Sequence, residues 1–456
     1  MISGVLPSKN VHAGVALPGR TARYCLRQRA LACTFVRKCN SHTARKGSSP
    51  YNQGGLALCS PPFFIADAMT NTKSVHTALI HSDYQAPPGF AAFPNAIHHA
   101  STVLFKDVAA MRSGDWKEKN AYTYGLHGTP TTFTLEARLA DIEGGNYCLL
   151  APSGLAAIAM VDFALLTSGD DVLLPENVYN PNRELGRWLS QDFGVTARYY
   201  DPLVGAGIAE LIQPNTKLIW TEAPGSVTME VPDLPAICAA AHARGVLVAL
   251  DNTWSAGLAL RGFELGVDIV MQALTKYQSG GSDVLMGAVI TREPALRDRL
   301  ALAHMRLGMG VGADDAYLVL RGLPTMKLRF DAHDAGARAV ARWLKARPEI
   351  ATVLHPAFED CPGHAIWQRD FTGAGGLFSV LFDSSYTEAQ TDRFVDALQL
   401  FKIGYSWGGA NSLVMPYRMA GMRKGWRRQG QLVRFNVGLE APQDLIADIE
   451  QALAAM

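Results

Sequence analysis

VDIVMQALTKYQSGGSD, residues 267–283, places Lys276 directly after a mostly apolar run and directly before a loop rich in glycine and hydroxyl groups. The run from Val267 to Ala273 predicts a buried β-strand. A lysine at the mouth of a buried strand is poorly placed for solvent, but its amine is well placed to bind a carbonyl compound covalently. Lys276 is therefore the first candidate for a catalytic residue.

A second apolar run, GVLVAL at residues 245–250, ends in Asp251. A buried amine and a carboxylate at a strand end are the two groups that pyridoxal phosphate requires. The amine forms the Schiff base, and the carboxylate keeps the ring nitrogen protonated so that the ring accepts electrons. Lys276 and Asp251 together predict a pyridoxal-phosphate site.

Helical and strand patterns alternate along the chain from about residue 135. Short, nearly all-apolar strands separated by helices are typical of an α/β fold whose parallel or mixed sheet is covered on both faces. Ligands of such sheets bind beyond the carboxyl ends of the strands, where Asp251 and Lys276 are expected. The predicted strands are Tyr147–Ala151, Asp171–Leu174, Thr196–Tyr200, Lys217–Thr221, Val246–Leu250, Ile269–Ala273 and Met286–Thr291, with Leu234–Arg244 among the helices.

The pattern changes in the last third of the chain. A long amphipathic helix is predicted from Tyr317 to Leu344, interrupted near Gly322-Leu323-Pro324. Two strands, Gly376–Phe382 and Leu432–Val437, and a closing helix, Gln443–Ala455, predict a smaller α+β domain. The chain is therefore divided into a leader (1–68), an amino-terminal arm that contacts a neighbouring subunit (69–127), a cofactor-binding large domain (128–322) and a carboxyl-terminal domain (323–456).

Composition excludes some classes of partner. The 456-residue chain is 48% hydrophobic and carries 42 basic and 41 acidic side chains, which argues against nucleic acid or an anionic membrane surface. No apolar run predicts a membrane span, and no spacing of histidine and cysteine predicts a metal site. The three cysteines beyond residue 68 fit a reduced, cytoplasmic protein.

Residues 1–68 differ in composition from the rest of the chain. They hold nine Lys or Arg, one acidic residue and four of the seven cysteines. This composition fits an organelle transit peptide. A disordered tail, or translation from a start upstream of Met69, are the other interpretations.

Weaker signals accompany Lys276 and Asp251. Ser153-Gly154-Leu155 at a strand-to-helix turn offers backbone amides to a phosphate, and Thr275 adds a hydroxyl, although many helices begin with Ser-Gly. Tyr179 follows another strand and can stack on a pyridine ring, or it is an ordinary surface or core tyrosine. Arg434, inside the apolar strand 432–437, suits a substrate carboxylate or, equally, a structural salt bridge.

The order of these features resembles the pyridoxal-phosphate enzymes of cysteine and methionine metabolism. The resemblance extends from about Thr72 to the carboxyl terminus, and so many ordered motifs make coincidence negligible. The motifs are Tyr124-Gly125, Gly128-Thr129, Leu139 to Gly145, Ser153-Gly154-Leu155, Glu222-Ala223-Pro224-Gly225-Ser226, Asp251-Asn252-Thr253-Trp254, Thr275-Lys276-Tyr277, Ser282-Asp283, Tyr405-Ser406-Trp407-Gly408-Gly409 and Arg434.

The resemblance implies the aspartate-aminotransferase-like fold (fold type I) and a homotetramer, a dimer of dimers with shared active sites. It also assigns roles to residues. Lys276 corresponds to the Schiff-base lysine, Asp251 to the partner of the ring nitrogen, and Tyr179 to a catalytic tyrosine that stacks on the ring. Gly154, Leu155 and Thr275 correspond to phosphate contacts, joined by Tyr124 from a neighbouring subunit. Arg434, Ser406 and Trp407 correspond to the substrate-binding residues.

Tyr405-Ser406-Trp407-Gly408-Gly409 resembles the β-eliminating bacterial branch, because relatives with γ-chemistry usually have leucine at the Trp407 position. This implies a carbon–sulfur lyase of methionine biosynthesis that converts L-cystathionine and water to L-homocysteine, pyruvate and ammonia, and that also accepts cysteine or cystine. Simple core packing is the other interpretation of Trp407. A γ-lyase, a γ-synthase or sulfhydrylase, and a catalytically silent regulatory protein that binds the cofactor are the alternative functions.

The chain departs from the family pattern at three positions. Leu126, followed by His127, stands where the family commonly has arginine, Ala273 stands for a serine, and Gly281 for a histidine. The first and second changes each remove a phosphate donor. We expect either weaker cofactor binding or partial compensation by His127.

Overall fold

The structure, a computed structural model, describes residues 74–456 except 82–83, 85, 87, 91, 118, 120 and 424–425. The leader predicted for residues 1–68 and the first residues of the arm lie outside the described residues. None of the described helices is long and apolar enough to cross a membrane.

The first half of the described chain forms a seven-stranded sheet and the helices around it. The strands are β1 (Tyr147–Ala151), β2 (Asp171–Pro175), β3 (Thr196–Tyr200), β4 (Thr216–Glu222), β5 (Leu247–Asp251), β6 (Ile269–Ala273) and β7 (Gly287–Thr291). The helices are α1 (Val75–Ile80), α2 (Val108–Ser113), α3 (Pro130–Glu143), α4 (Gly154–Leu165), α5 (Asn180–Asp192), α6 (Leu234–His242) and α7 (Pro294–Leu307).

The sheet is mixed and has a core on each face. Its strand order is β1-β7-β6-β5-β4-β2-β3, in which β7 is antiparallel to both of its neighbours and the other pairs are parallel. Successive side chains of a strand point to opposite faces. Accordingly, Val248 and Leu250 of β5 enter one apolar cluster and Ala249 enters the other. The predicted α/β architecture is confirmed.

Helix α8 (Ala313–Lys345) runs without a break through Gly322 and Pro324. The predicted interruption is therefore wrong. Tertiary contacts hold the helix here: a Cβ at Gly322 would lie 2.2 Å from the Gln278 carbonyl oxygen, so the helix packs directly on the loop after Lys276. Arg329 also donates to the Gly322 carbonyl oxygen at 2.9 Å. The helix crosses the boundary expected after residue 322, and that boundary stays a prediction.

A second, smaller sheet follows α8. Its strands are β8 (Ile350–Leu354), β9 (Leu377–Phe382), β10 (Lys402–Ile403), β11 (Leu413–Tyr417) and β12 (Leu432–Asn436), in the order β10-β11-β12-β9-β8. The accompanying helices are α9 (His364–Asp370), α10 (Glu388–Ala397), α11 (Met419–Met422) and α12 (Pro442–Leu453). Phe378, Phe394 and Phe435 pack together in its core. The smaller α+β unit agrees with the sequence-based expectation.

Candidate active site

Three strand ends form the floor of the site. The parallel strands β4, β5 and β6 are adjacent, and Glu222 at the end of β4 is in register with Asp251 at the end of β5. Lys276 follows β6 by one tight turn, in which its backbone N–H donates to the Ala273 carbonyl oxygen at 3.2 Å. The carboxyl ends of parallel strands share an edge of the sheet. This is why residues far apart in sequence meet here.

Thr253 joins the Asp251 strand to the Lys276 strand. Its hydroxyl donates to Asp251 Oδ1, and its Oγ1 accepts from the Ala273 backbone N–H at 2.9 Å. Thr253 belongs to the motif Asp251-Asn252-Thr253-Trp254, but the motif alone assigns it no role. A side chain that bonds both strand ends fixes the spacing between the carboxylate and the lysine.

Asp251 retains a free acceptor. The Thr253 backbone N–H, at 3.0 Å, and the Thr253 hydroxyl both donate to Oδ1, and no described residue donates to Oδ2. Burial raises the pKa of Asp251, and the hydrogen bonds from Thr253 and the charge of Lys276 oppose that rise. A partly buried carboxylate with one unpartnered oxygen fits the protonated ring nitrogen of pyridoxal phosphate.

Lys276 is held by the second half of the chain. Its Nζ donates to Ser406 Oγ at 2.7 Å and lies 5.2 Å from the centre of the Trp407 ring. Burial, and then the positive charge of Arg434, lower its pKa from 10.5 to about 8, against the influence of Asp251. The lowered pKa leaves a larger share of the amine neutral near pH 7 than for an ordinary lysine.

The loop 405–409 approaches the lysine closely. Ser406 and Gly408 have φ of +87° and +79°. A Cβ at Gly408 would lie 3.1 Å from the Tyr277 backbone nitrogen, so both the positive φ and the close approach favour glycine there. The Gly408 N–H donates to Asn436 Oδ1 at 3.1 Å, which ties the loop to β12.

Arg434, on β12, faces the same group of residues. Its Nη2 is 3.5 Å from the Ser406 carbonyl oxygen, and its guanidinium lies 5.3 Å from the centre of the Tyr417 ring. Burial lowers its pKa. No carboxylate of the described residues pairs with Arg434, so the structural salt bridge that the sequence left open is not found. A buried guanidinium without an acid suits an incoming carboxylate.

The start of α4 lies against the end of β6. A Cβ at Gly154 would lie 2.8 Å from the Ala273 Cβ, so only glycine allows this approach. The Ser153 hydroxyl caps the helix by accepting from the Ala156 N–H at 3.0 Å. Thr275 Oγ1 bonds the Met286 backbone, donating at 3.3 Å and accepting at 3.2 Å. The phosphate roles of Gly154, Leu155 and Thr275 stay predictions.

Tyr179 lies on the same rim. It precedes α5, and its backbone N–H donates to Glu222 Oε2 at 2.7 Å. Burial and the neighbouring Asp251 and Glu222 charges raise the pKa of its phenol. The position agrees with the predicted stacking role, which remains a prediction.

The arm residues are not joined to this cluster. Tyr124 is half exposed and pairs with Thr102 in an isolated bridge, and no contact among the described residues connects it with Lys276 or Asp251. The His127 ring stacks on Trp116 with 4.7 Å between the ring centres. The expected contributions of Tyr124 to a neighbouring subunit and of His127 to phosphate binding stay predictions.

The chain matches known proteins over most of its length. The sequence model of the family described as "Cys/Met metabolism PLP-dependent enzyme" matches residues 76–454. A putative cystathionine β-lyase of Rhizobium johnstonii is 42% identical over 395 residues, which cover 86% of this chain and 97% of the relative.

Two further proteins match over a similar share of the chain. The cystathionine β-lyase MetC of Escherichia coli is 36% identical over 84% of this chain and 98% of its own length. The crystal structure of metB from Corynebacterium glutamicum superposes with a TM-score of 0.78 at 30% identity, covering 84% of this chain and 98% of that chain.

Proposed function

The chain belongs to the family of Cys/Met metabolism PLP-dependent enzymes, and we propose that it cleaves L-cystathionine with water to L-homocysteine, pyruvate and ammonia. Pyridoxal phosphate is the cofactor of this carbon–sulfur lyase. The observation that carries the proposal is the contact of Lys276 with Ser406 and Trp407. Beside them lies Arg434, which pairs with no carboxylate of the described residues.

The positions of the residues around Lys276 support a proposal for how the cofactor would be held. The amine of Lys276 would anchor the cofactor covalently, and the free oxygen of Asp251 would accept a hydrogen bond from the ring nitrogen. Tyr179 would cover the ring, and the start of α4 at Gly154 and Leu155, with Thr275, would receive the phosphate. Tyr124 of a neighbouring subunit would complete the phosphate site.

Pyridoxal phosphate supplies a protonated pyridine ring that accepts the electrons released when a Cα–H bond breaks. Arg434 binds the substrate α-carboxylate through its guanidinium fork. Lys276, with an amine that is partly neutral near pH 7, removes the proton from the substrate α-carbon. Ser406 orients the amine by its hydrogen bond.

The β-carbon then releases the homocysteine thiolate. Water completes the reaction: the remaining three carbons leave as pyruvate, with their carbonyl oxygen from water, and the amino group leaves as ammonia. The Trp407 ring, beside Lys276 and against Tyr277, narrows the space around the substrate. Such a wall restricts the substrate to a pose in which the leaving group is on the β-carbon rather than on a more distant carbon. This supports β-elimination over the γ-chemistry of other family members.

We also propose a cytoplasmic homotetramer, a dimer of dimers. Exposed apolar side chains on the arm support it, since Phe90, Phe93 and Leu104 are 67%, 103% and 89% exposed in the single chain. Apolar surface of this kind is normally covered by another protein surface. The three described cysteines are free and buried, which fits a reducing compartment.

A steady-state comparison of L-cystathionine, L-cystine and L-cysteine tests the proposed reaction, with the keto acid identified for each. We expect pyruvate from all three and the highest kcat/KM with L-cystathionine. Formation of 2-oxobutyrate would instead indicate γ-elimination, and no turnover of any of the three would indicate a silent cofactor-binding protein.

A further inference from the structure

The motif Glu222-Ala223-Pro224-Gly225-Ser226 has no part in the reaction described so far, although Glu222 lies on the floor of the site. In the sheet order, β4 lies between β2 and β5. Glu222 is the last residue of β4. It therefore lies between β2, which leads to Tyr179, and β5, which ends in Asp251. Its carboxyl group bonds the Tyr179 backbone on one side, and Glu222 is in register with Asp251 on the other.

Toward β2, Glu222 holds Tyr179 in place. Its Oε2 accepts the Tyr179 backbone N–H at 2.7 Å, at the first turn of α5. Its Oε1 is paired with the Ser226 hydroxyl at 2.5 Å, so the carboxyl group itself is fixed. Among the described contacts, this is the only hydrogen bond from Tyr179 to a side chain of the sheet. Loss of the Glu222 acceptor would therefore leave Tyr179, the proposed cover of the cofactor ring, without that bond.

Toward β5, Glu222 is in register with Asp251, and in-register residues of adjacent parallel strands point to the same face. Two neighbouring buried carboxyl groups do not both ionise readily. Both carboxyl groups accept two hydrogen bonds, but only Asp251 also has the charge of Lys276 in favour of its ionised form. Burial and the Asp251 charge raise the pKa of Glu222 to about 8.

We infer that Glu222 is a positioning residue for the cofactor ring: a neutral carboxyl group that fixes Tyr179 and leaves the single negative charge on Asp251. The inference rests on the proposed cofactor contacts of Tyr179 and Asp251. Glu222 itself touches neither cofactor nor substrate. Its effect is therefore expected in how the cofactor is held, before any turnover.

Two substitutions separate the parts of this role. Glu222→Gln keeps an amide oxygen for the Tyr179 N–H and has the neutral charge of the protonated acid. Glu222→Ala removes the acceptor. Asp162→Asn is the matched control, because Asp162 is a buried carboxyl group under the sheet that accepts from Trp220 Nε1 at 2.8 Å and has no contact with the site residues.

The measurements are the dissociation constant of pyridoxal phosphate for each apoprotein and the visible circular dichroism of the saturated holoenzyme at pH 7, which reports how the ring is held. We expect Glu222→Gln and Asp162→Asn within threefold of the parent dissociation constant, with an unchanged band. Glu222→Ala should bind at least tenfold more weakly, with a reduced band at saturation. Should Glu222→Ala not fold, as thermal unfolding of the apoprotein reveals, Glu222→Asp takes its place with the same expected loss, because the shorter side chain cannot reach the N–H.

Equal binding and equal bands for Glu222→Ala and the parent would overturn the inference. So would a Glu222→Gln protein as impaired as Glu222→Ala, since that result requires an ionised carboxylate. A parent that turned over no cystathionine but showed the expected differences among variants would refute the proposed reaction and leave the role of Glu222 standing.

Discussion

The amine of Lys276 lies 2.7 Å from the hydroxyl oxygen of Ser406, a residue 130 positions further along the chain. The lysine follows β6 of the large sheet, and the serine lies between β10 and β11 of the small sheet. The bond therefore makes the orientation of the amine depend on the packing of the carboxyl-terminal sheet. Because Arg434 belongs to that same sheet, the proposed base and the proposed substrate-carboxylate site are positioned together.

Cofactor incorporation should follow the titration of Lys276. The neutral amine is the nucleophile, and burial lowers its pKa to about 8. Incorporation into the apoprotein should therefore speed up as pH rises and level off above about 8, measured as the growth of visible absorbance. Arg434 contributes to the lowered pKa, so Arg434→Met should move the midpoint upward. A parent midpoint near that of free lysine would contradict this account.

Arg434→Lys should weaken substrate binding without weakening cofactor binding. A lysine keeps the charge but lacks the planar fork that pairs with a carboxylate. We expect KM for L-cystathionine to rise by about five- to thirtyfold, from the roughly one to two kcal/mol that such a bidentate contact contributes. Arg338→Lys is the control, because Arg338 pairs with Asp334 within α8. An unchanged KM with a raised cofactor dissociation constant would indicate that Arg434 binds the cofactor and not the substrate.

The packing of α8 on the lysine loop makes Gly322 a sensitive position. A Cβ there would lie 2.2 and 2.8 Å from the Gln278 and Ser279 carbonyl oxygens. Backbone atoms cannot relieve the clash by changing rotamer, as a flexible side chain could. We expect Gly322→Ala to lower the free energy of unfolding by about 2 kcal/mol. Gly336→Ala on the same helix meets only side-chain atoms, the nearest at 3.1 Å, and should stay within about 1 kcal/mol of the parent. Denaturant unfolding of the two variants tests the difference, and equal stabilities would argue against it.

Asp162 should give the fold a specific dependence on pH. Burial raises its pKa from 3.8 to about 7, so between these values the folded chain holds a proton that the unfolded chain has lost. Stability should therefore fall as pH rises through this window. Asp162→Asn keeps an acceptor for Trp220 but cannot titrate. From pH 5 to pH 8 the parent should lose about 2 kcal/mol more than the variant. Parallel stability curves in denaturant titrations would show that Asp162 is ionised in the folded protein.

The large sheet was predictable because its strands are short apolar runs with polar ends. Three predicted strands match at both ends, Tyr147–Ala151, Thr196–Tyr200 and Ile269–Ala273, and the other four differ by one residue at one or both ends. The meeting of Asp251 and Lys276 at adjacent strand ends also followed from the sequence, since parallel strands end at one edge. These features depend on local pattern and on a general property of α/β sheets.

The errors and omissions have a common cause. Gly322 and Pro324 favour a break by local propensity, and only the contact of α8 with the Lys276 loop explains why the helix continues. Thr253 and Glu222 carry no local pattern that distinguishes them from other strand-end residues. Their importance comes from hydrogen bonds to residues on neighbouring strands, which a single sequence does not reveal.

Pyruvate release from L-cystathionine by the parent and by Lys276→Ala tests the central claim most directly, with both proteins saturated with pyridoxal phosphate and equally folded by circular dichroism. The parent should form pyruvate and homocysteine in equal amounts, and the variant should be slower by about a thousandfold, as expected for the loss of a positioned base. A variant within tenfold of the parent, or 2-oxobutyrate as the parent's product, would contradict the assignment of Lys276 as the base of a β-elimination.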